Sequence, residues 1–262
     1  MMDAVEDVVR GAVSVLSARP SALITDIDGT LSPIVSRPES AAVSDSARES
    51  LRALAGLIDL VAVVTGRSED EARRMVGVEG LTYVGHYSLD DSAAARIRPD
   101  ELEPAKASAR SMLGPYPCVQ FEDKGVSFSL HYRNCEDEGV RDELMTLMRP
   151  LAQRSGARLL EGKQVIEMVP GDLPDKSAAV SRLLEEHGIR GVVYLGDDLS
   201  DVAVFRELAR RRADGGVSAL SAAVVDAETD DLVSQAADVR LDGVRELEAL
   251  LACLCGTLGG TA

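Results

Sequence analysis

The sequence predicts an α/β fold in which a Rossmann-like core with a parallel sheet carries an inserted α+β domain. Short apolar runs rich in β-branched residues alternate with segments whose apolar residues recur every three or four positions, which is the pattern of buried strands and helices. Between residues 92 and 170 this pattern changes to helices that alternate with strands of antiparallel character. We therefore predict a core formed by residues 1–91 and 171–262 and an inserted domain formed by residues 92–170.

The elements of the predicted core follow in a regular order, beginning with a helix over residues 5–16. Three buried strands are each closed by a polar cluster, and they are residues 22–25, 60–64 and 192–195. The helices of this α/β pattern are residues 44–57, 69–76, 176–187 and 199–211. Ser44 and Ser68 are expected to cap two of these helices, because their hydroxyl groups can accept hydrogen bonds from unpaired backbone N–H groups.

The inserted domain is predicted to contain two helices, over residues 101–113 and 136–155, and a strand over residues 126–133. Apolar and polar side chains alternate along this strand, so they point to opposite faces. We expect one face to lie in a core and the other, which carries Ser127, Ser129, His131 and Arg133, to lie in water.

Composition and charge exclude several classes of function. The chain has 262 residues, and its 44 acidic and 28 basic residues give a net charge of -16, which would repel nucleic acids and anionic membranes. The N-terminal segment is acidic, and no apolar run approaches the roughly 20 residues of a membrane span. We therefore expect a globular cytoplasmic protein that binds neither nucleic acid nor membrane. Its four cysteines lack metal-site spacing and are expected to be reduced thiols.

Polar side chains follow the three predicted strands at the point where each strand ends. Asp26 and Asp28 follow the first strand, Thr65-Gly66-Arg67-Ser68 the second, and a segment with Asp197, Asp198 and Asp201 the third. Because ligands bind outside the carboxyl ends of strands in open parallel sheets, we expect these groups to form one site. Several carboxylates at one site would repel one another unless a cation held them, and hard oxygen ligands favour Mg²⁺.

Lysine is rare in this chain, with four lysines against 24 arginines. One of them, Lys176, opens the helix before the third strand and could supply the positive charge that the carboxylates require. Each acidic motif alone would more often be a turn or a loop than a site. Their placement after three separate buried strands favours the functional interpretation.

On these motifs the chain resembles the haloacid dehalogenase (HAD) superfamily of phosphohydrolases. The resemblance implies a HAD-like catalytic core in which Asp26 is the phosphorylated nucleophile and Asp28 the general acid and base. It also implies that Thr65 and Lys176 bind the phosphoryl oxygens. The implied Mg²⁺ ligands are Asp26, Asp28 through its carbonyl, Asp197, Asp198 in support, and Asp201.

The inserted domain lies where this superfamily carries a cap that closes over the core and selects the leaving group. Its segments Glu-Asp-Lys at 122–124, Ser127, His-Tyr-Arg at 131–133 and Gly-Lys-Gln-Val-Ile-Glu at 162–167 resemble the cap motifs of trehalose-6-phosphate phosphatases. The resemblance covers residues 23–205. The substrate-binding residues it implies are Gly66, Arg67, His86, Glu122, Lys124, His131, Arg133, Lys163 and Glu167.

The resemblance therefore implies a phosphatase that releases phosphate from trehalose 6-phosphate, with a functional link to a trehalose-phosphate synthase. Four departures from the family pattern occur, at Tyr87-Ser88, Val169, Ser177 and Val202. None is a chemical residue, but they leave three alternatives open. The substrate could be sucrose phosphate or a glucosyl or mannosyl phosphoglycerate, the chain could be a silent sugar-phosphate-binding regulator, or it could transfer the phosphoryl group to another sugar.

Overall fold

The computed structural model describes residues 2–86 and 101–260, and elements are numbered here in chain order within these ranges. The chain divides into two compact units. The first unit comprises Met1–Tyr87 and Asp175–Ala262, and the second comprises Ser88–Pro174. The predicted boundary between residues 91 and 92, like Tyr87 and Ser88, lies outside the described residues, so that boundary stays a prediction.

The first unit contains a six-stranded parallel sheet in the order β10-β9-β8-β1-β2-β3. Its strands are β1 Ser21–Thr25, β2 Leu60–Val64, β3 Thr82–Val84, β8 Gly191–Gly196, β9 Ser218–Val225 and β10 Val239–Asp242. Every residue of β1, β2 and β8 is buried, as their continuous apolar runs predict. Thr25 at the end of β1 pairs with Val63 of β2 and with Leu195 of β8, so the carboxyl ends of three strands meet. The predicted α/β class and Rossmann-like core are confirmed.

The described part of the first unit contains seven α-helices. They are α1 Met2–Leu16, α2 Asp45–Ala55, α3 Glu69–Val76, α6 Lys176–Glu186, α7 Leu199–Ala213, α8 Asp231–Ala236 and α9 Gly243–Gly259, with a short 3-10 helix at Pro38–Ser40. The first five agree closely with the predicted segments, whereas α8 and α9 were not predicted. Ser44 caps α2 and Ser68 caps α3 with their side-chain oxygens, so both cap predictions are confirmed. Helix α1 packs on the core through Val8, Ala12 and Leu16. None of the helices within 2–86 and 101–260 is long and apolar enough to cross a membrane.

The second unit is an α+β unit with its own sheet and core. Its elements are α4 Glu103–Met112, β4 Gln120–Asp123, β5 Phe128–His131, α5 Val140–Ser155, β6 Ala157–Gly162 and β7 Val165–Pro170. The strands form an antiparallel sheet in the order β4-β5-β7-β6. One face of the sheet is covered by the two helices through a cluster that includes Phe128, Leu130, Leu144, Met148 and Met168.

The prediction of a solvated face on β5 was wrong for two of its residues. Ser127 and Ser129 are 1% and 0% exposed, so polar side chains are buried on this side of the strand as well. For Ser127 the physical reason is a buried partner, because its hydroxyl donates to Glu167 on the neighbouring strand at 2.7 Å. The hydroxyl of Ser129 is buried without a hydrogen-bond partner among the described residues. Alternating polarity along a strand therefore does not show whether its polar face is solvated.

The prediction of four reduced cysteines was also wrong, because Cys118 and Cys135 form a disulfide. Cys118 precedes β4 and Cys135 follows β5, and the antiparallel register of these strands pairs Gln120 with His131. The hairpin therefore brings its two ends together, and the Cα atoms of the cysteines lie 5.1 Å apart. A sequence separation of 17 residues carries no metal-type or disulfide signature of its own. Cys253 and Cys255 are free thiols.

Candidate active site

Asp26 lies directly after β1, at the centre of the parallel sheet. Its backbone N–H donates to the carbonyl of Leu195 on β8 at 3.0 Å, which holds the residue at the strand end. Its side chain is buried and forms an ion pair of 2.8 Å with Lys176, the first residue of α6. Burial raises the pKa of Asp26 to about 7, Lys176 opposes this shift, and the charge of Asp201 adds to it. The arrangement places a buried carboxylate beside a buried cation.

Asp201, in the first turn of α7, accepts hydrogen bonds from several groups of this site. One of its oxygens accepts hydrogen bonds from Lys176 Nζ at 2.8 Å and from the hydroxyl of Tyr194 at 2.7 Å. The other oxygen accepts from the backbone N–H groups of Asp197 and Asp198 at 2.9 and 3.0 Å. Gly196 permits this close approach, since a Cβ at that position would lie 2.4 Å from Asp201 Cγ. Four donors therefore surround one fully buried carboxylate.

Asp197 follows β8 and points toward the loop after β1. One of its oxygens accepts a hydrogen bond of 2.8 Å from Thr30 Oγ1, and the side chain is 1% exposed. Gly29 leaves room for it, because a Cβ there would lie 1.9 Å from Asp197 Oδ2. Gly29 also has a φ of +84°, which side chains rarely adopt. The sequence Asp-x-Asp-Gly thus needs its glycine both for the turn and for the neighbouring carboxylate.

The buried carboxylates form a candidate cation site. Within 2–86 and 101–260, Asp26, Asp197 and Asp201 each offer an oxygen such that the three atoms lie within 4.8 Å of one another. These are hard oxygen donors, and their closeness fits a divalent cation such as Mg²⁺ or Ca²⁺. Asp198 has a different contact, because its carboxylate caps α7 by accepting from the N–H of Leu199 at 2.6 Å.

Asp28 lies beside this cluster, and its carboxylate pairs with an arginine. The Arg67 guanidinium donates two hydrogen bonds of 2.7 Å to Asp28, one to each oxygen. A further hydrogen bond of 3.2 Å joins Arg67 to the carbonyl of Pro38. Such a bidentate pair fixes the orientation of a carboxylate. The side chain of Asp28 is 34% exposed, so one side of the carboxylate remains open to solvent.

The loop after β2 brings the remaining predicted core residues to the same edge of the sheet. Thr65 is buried, and its hydroxyl accepts a hydrogen bond of 3.2 Å from the N–H of Arg67, with half-buried Gly66 between them. The N–H of His86 donates to the carbonyl of Arg67 at 2.9 Å. Gly85 allows this contact, because a Cβ there would lie 2.3 Å from the N–H nitrogen of Glu69. The ends of β2 and β3 are therefore tied together.

The second unit gathers most of its predicted binding residues into one polar cluster on β4, β5 and β7. Lys124 Nζ lies 3.2 Å from Glu167 and 3.9 Å from Glu122. His131 Nε2 lies 2.8 Å from the same Glu122 oxygen that faces Lys124. Ser127 donates to the second oxygen of Glu167. All these side chains are at least partly buried and contact one another. The cluster therefore holds Lys124 between two glutamates in a fixed arrangement.

Arg133 and Lys163 lie together at the end of the same sheet. Arg133 donates to the backbone carbonyl of Lys163 at 3.2 Å. The adjacent Gln164 adopts a φ of +61°, and its carbonyl accepts from the N–H of Tyr132 at 3.0 Å. The turn between β6 and β7 is therefore fixed to the end of β5 by two hydrogen bonds.

Three residues at these sites were not predicted from the sequence: Thr30, Tyr194 and Ser127. Thr30 lies inside the motif that follows β1, so its position was a usable signal. Tyr194 lies two residues before Gly196 in an apolar run, where a tyrosine can equally serve as core. Its hydroxyl is buried against Asp201, and burial raises its pKa well above the usual value, so it stays a hydrogen-bond donor.

The comparisons with known proteins agree on one family. The family model described as Trehalose-phosphatase matches residues 24–243. A protein of Mycobacterium tuberculosis described as a trehalose-phosphate phosphatase is 34% identical over 211 residues, covering 74% of this chain and 53% of that protein. A second protein of the same organism, described as an uncharacterized glycosyl hydrolase, is 35% identical over 206 residues, covering 72% of this chain and 15% of its own length.

A solved structure gives the same result for the fold. The C-terminal domain of trehalose-6-phosphate phosphatase from C. albicans superposes with a TM-score of 0.81 at 21% identity, covering 95% of this chain and 96% of that one. Such a likeness extends through both units of the chain and establishes the fold. The chain spans about half the length of the curated phosphatase of M. tuberculosis.

Proposed function

Because this chain belongs to the trehalose-phosphatase family, we propose that it is a phosphatase that hydrolyses trehalose 6-phosphate to trehalose and inorganic phosphate. The observation that carries the proposal is the buried set of Asp26, Lys176 and Asp201 where β1 and β8 end. A buried carboxylate that is held beside a cation, at the carboxyl edge of a parallel sheet, is suited to receive a phosphoryl group.

In the first chemical step, an oxygen of Asp26 attacks phosphorus and the bond from phosphorus to the sugar oxygen breaks. Asp28 gives its proton to the departing alkoxide, which leaves as trehalose. Lys176 offsets negative charge on the phosphoryl group, and Thr65 offers its hydroxyl to a phosphoryl oxygen. Arg67 orients Asp28 through its two hydrogen bonds, and its binding of substrate stays a prediction.

In the second step, the Asp28 carboxylate takes a proton from a water molecule whose oxygen attacks the aspartyl phosphate. The bond between phosphorus and Asp26 breaks, phosphate leaves, and Asp26 returns as a carboxylate. Asp28 ends this step protonated and ready for the next substrate. Both steps use the open side of Asp28, which the pairing with Arg67 leaves available.

The acidic cluster is suited to a divalent cation, and we infer that Asp26 and Asp197 would hold Mg²⁺. The family resemblance adds the Asp28 carbonyl as a ligand and Asp198 in support. When bound, the cation neutralises negative charge on the phosphoryl group. Asp201 was predicted as a further ligand, but four hydrogen bonds already occupy its oxygens. We assign to Asp201 the role of holding Lys176 and the backbone of the Asp197 loop in place.

The polar cluster of the second unit supports a role in sugar recognition. Glu122, Glu167 and His131 offer acceptors, and Lys124 offers donors, in an arrangement fixed by mutual contacts. Sugar hydroxyls both donate and accept hydrogen bonds, so such a mixed set can select one pattern of hydroxyls. Arg133 and Lys163 add positive charge at the end of the same sheet. We propose that these residues of the second unit contact the sugar. In the first unit, Gly66 and His86 stay predicted substrate-binding residues.

Two further statements stay predictions. A functional link to a trehalose-phosphate synthase follows from the family resemblance. The cytoplasmic location expected from the sequence also stays a prediction, whereas the Cys118–Cys135 disulfide favours an oxidising compartment. The alternative substrates, sucrose phosphate and glucosyl or mannosyl phosphoglycerate, share the phosphate ester chemistry and differ in the sugar.

A panel of sugar phosphates with Mg²⁺, scored by release of inorganic phosphate, tests the proposal. We expect trehalose 6-phosphate to be preferred, Asp26→Asn to abolish release, and EDTA to abolish it reversibly. Preference for another ester would overturn the substrate while leaving the mechanism. Turnover of no phosphomonoester would favour a silent binding protein, and recovery of a phosphorylated acceptor instead of phosphate would indicate a phosphotransferase. Undiminished release by Asp26→Asn would refute the nucleophile.

A further inference from the structure

Lys106 is a buried lysine that the proposed chemistry does not use. It lies on α4 with a side chain that is 1% exposed, and lysine is almost never so buried without partners. Its ammonium group donates three hydrogen bonds, to Glu103 Oε1 at 2.9 Å, to Asp123 Oδ1 at 2.7 Å and to the carbonyl of Gly125. Three donors thus meet three acceptors, so the charge is fully satisfied.

Two of these acceptors lie on either side of one residue, Lys124. Asp123 ends β4, and Gly125 begins the turn to β5 with a φ of +77°. Asp123 also accepts the N–H of Gly125 at 3.0 Å, and the N–H of Lys124 donates to the carbonyl of Ser127 at 3.0 Å. Lys106 therefore holds the side chain of the residue before Lys124 and the backbone carbonyl of the residue after it.

The charge state of Lys106 agrees with this role. Burial alone would lower its pKa, but hydrogen bonds to Asp123 and Glu103 raise the pKa above its usual value. The group is therefore a permanent cation at neutral pH, and the turn is held by charge-assisted hydrogen bonds.

We propose that Lys106 is a positioning residue that determines specificity: it sets the direction in which Lys124 leaves the β4–β5 turn and so preserves the cluster with Glu122 and Glu167. This inference rests on the proposed sugar-phosphate phosphatase function. The lysine side chain is a flexible stem of four carbons, so the position of its ammonium group depends on a backbone that is held in place. Without Lys106 the turn loses its internal anchor, and Lys124 no longer stays within reach of both glutamates.

The test compares a sugar substrate with a substrate that lacks the sugar. Lys106→Met keeps the length of the side chain and removes its charge. We expect it to raise KM for trehalose 6-phosphate about tenfold, the factor for one weakened charge-assisted hydrogen bond, with kcat within about twofold. Turnover of p-nitrophenyl phosphate, which has no sugar to recognise, should not change. Equal loss on both substrates, or an unchanged KM for trehalose 6-phosphate, would overturn the proposal.

Arg110→Met is the matched control. Arg110 lies one turn further along α4 and also pairs with Asp123, at 2.8 Å, but it is 48% exposed, and its guanidinium lies over the ring of Phe121 at 4.2 Å. We expect this variant to leave KM for both substrates within about twofold of the parent. A rise equal to that of Lys106→Met would show that loss of any Asp123 partner suffices, which would overturn the role assigned to Lys106.

A double substitution tests whether Lys106 acts through Lys124. If it does, Lys106→Met combined with Lys124→Ala should give the KM of Lys124→Ala alone, because coupled residues are not additive. Multiplied effects would contradict the proposal. If Lys106→Met fails to fold, Asp123→Asn tests the same contact, because it weakens the ion pair from the side of the turn. An unchanged KM for trehalose 6-phosphate in that variant would refute the proposal. An unsubstituted protein that releases no phosphate from trehalose 6-phosphate would instead refute the proposed function, and this role with it.

Discussion

The hydrogen bond from Tyr194 to Asp201 allows a test of how the site is held together. Tyr194→Phe removes one hydroxyl from a fully buried contact of 2.7 Å and leaves Asp201 with its three other donors. A hydrogen bond to a charged acceptor contributes about 1.5–3 kcal/mol, so we expect the free energy of unfolding to fall by about 2 kcal/mol. For a unit of this size, that change lowers Tm by about 4–8 °C.

Tyr83→Phe is the matched control for this substitution. Tyr83 is also buried in the first unit, and its hydroxyl donates at 2.8 Å to a neutral acceptor, the carbonyl of Val78. Its loss should cost about 1 kcal/mol, the value for a hydrogen bond between uncharged groups. Differential scanning calorimetry of both variants measures the difference. We also expect Tyr194→Phe to lower kcat about tenfold, since a small displacement of Lys176 disturbs phosphoryl transfer, whereas Tyr83→Phe leaves kcat unchanged. Equal losses of Tm in the two variants would refute the reasoning.

Other predictions follow from individual contacts. Gly29→Ala should abolish phosphate release, because the new Cβ collides with Asp197. Its control is Gly80→Ala, since Gly80 has a similar φ of +83° and open space around it. In a calorimetric scan this control should lose only the roughly 1–2 kcal/mol that a side chain costs in the left-handed conformation. Cys118→Ser should cost the second unit about 3 kcal/mol by opening the disulfide loop, measured by urea unfolding, while Cys253→Ser, which changes an exposed free thiol, serves as control and should leave stability unchanged. Lys124→Ala should raise KM for trehalose 6-phosphate about tenfold without changing turnover of p-nitrophenyl phosphate, and a parallel loss on both substrates would contradict a role in sugar recognition.

The sequence predicted the central strands of the parallel sheet but not its outer strands. Strands β1, β2 and β8 are covered on both faces by helices, so they appear as unbroken apolar runs. Strand β10 lies at the edge and alternates between buried and exposed residues, and β9 mixes serine and alanine with its valines. Strand β10 has only four residues, and β9, although eight residues long, contains few β-branched residues.

The sequence predicted which residues form the candidate active site more completely than it predicted the contacts between them. Strand ends and motif spacing were enough to bring Asp26, Asp197 and Lys176 to one edge of the sheet. They could not distinguish a carboxylate that faces a ligand from one that holds neighbouring groups in place, and the four donors around Asp201 became visible only in the structure. That distinction depends on which donors surround each oxygen, and spacing in the chain does not encode it.

The second unit shows the same limit in another form. Alternation along β5 correctly separated its apolar and polar faces, but solvation of the polar face depends on partners from β7, and Glu167 supplies one of them. The disulfide likewise depends on the register of β4 with β5. Both features are consequences of strand pairing between residues that are distant in sequence.

The central claim is that Asp26 carries the phosphoryl group during turnover. Rapid acid quenching of a reaction with trehalose 6-phosphate, followed by peptide mass spectrometry, tests it directly. We predict the mass of one phosphoryl group on the peptide that contains Asp26 and its absence in Asp26→Asn. Phosphate release with no phosphorylated peptide at any quench time, or with the group on another residue, would contradict the account.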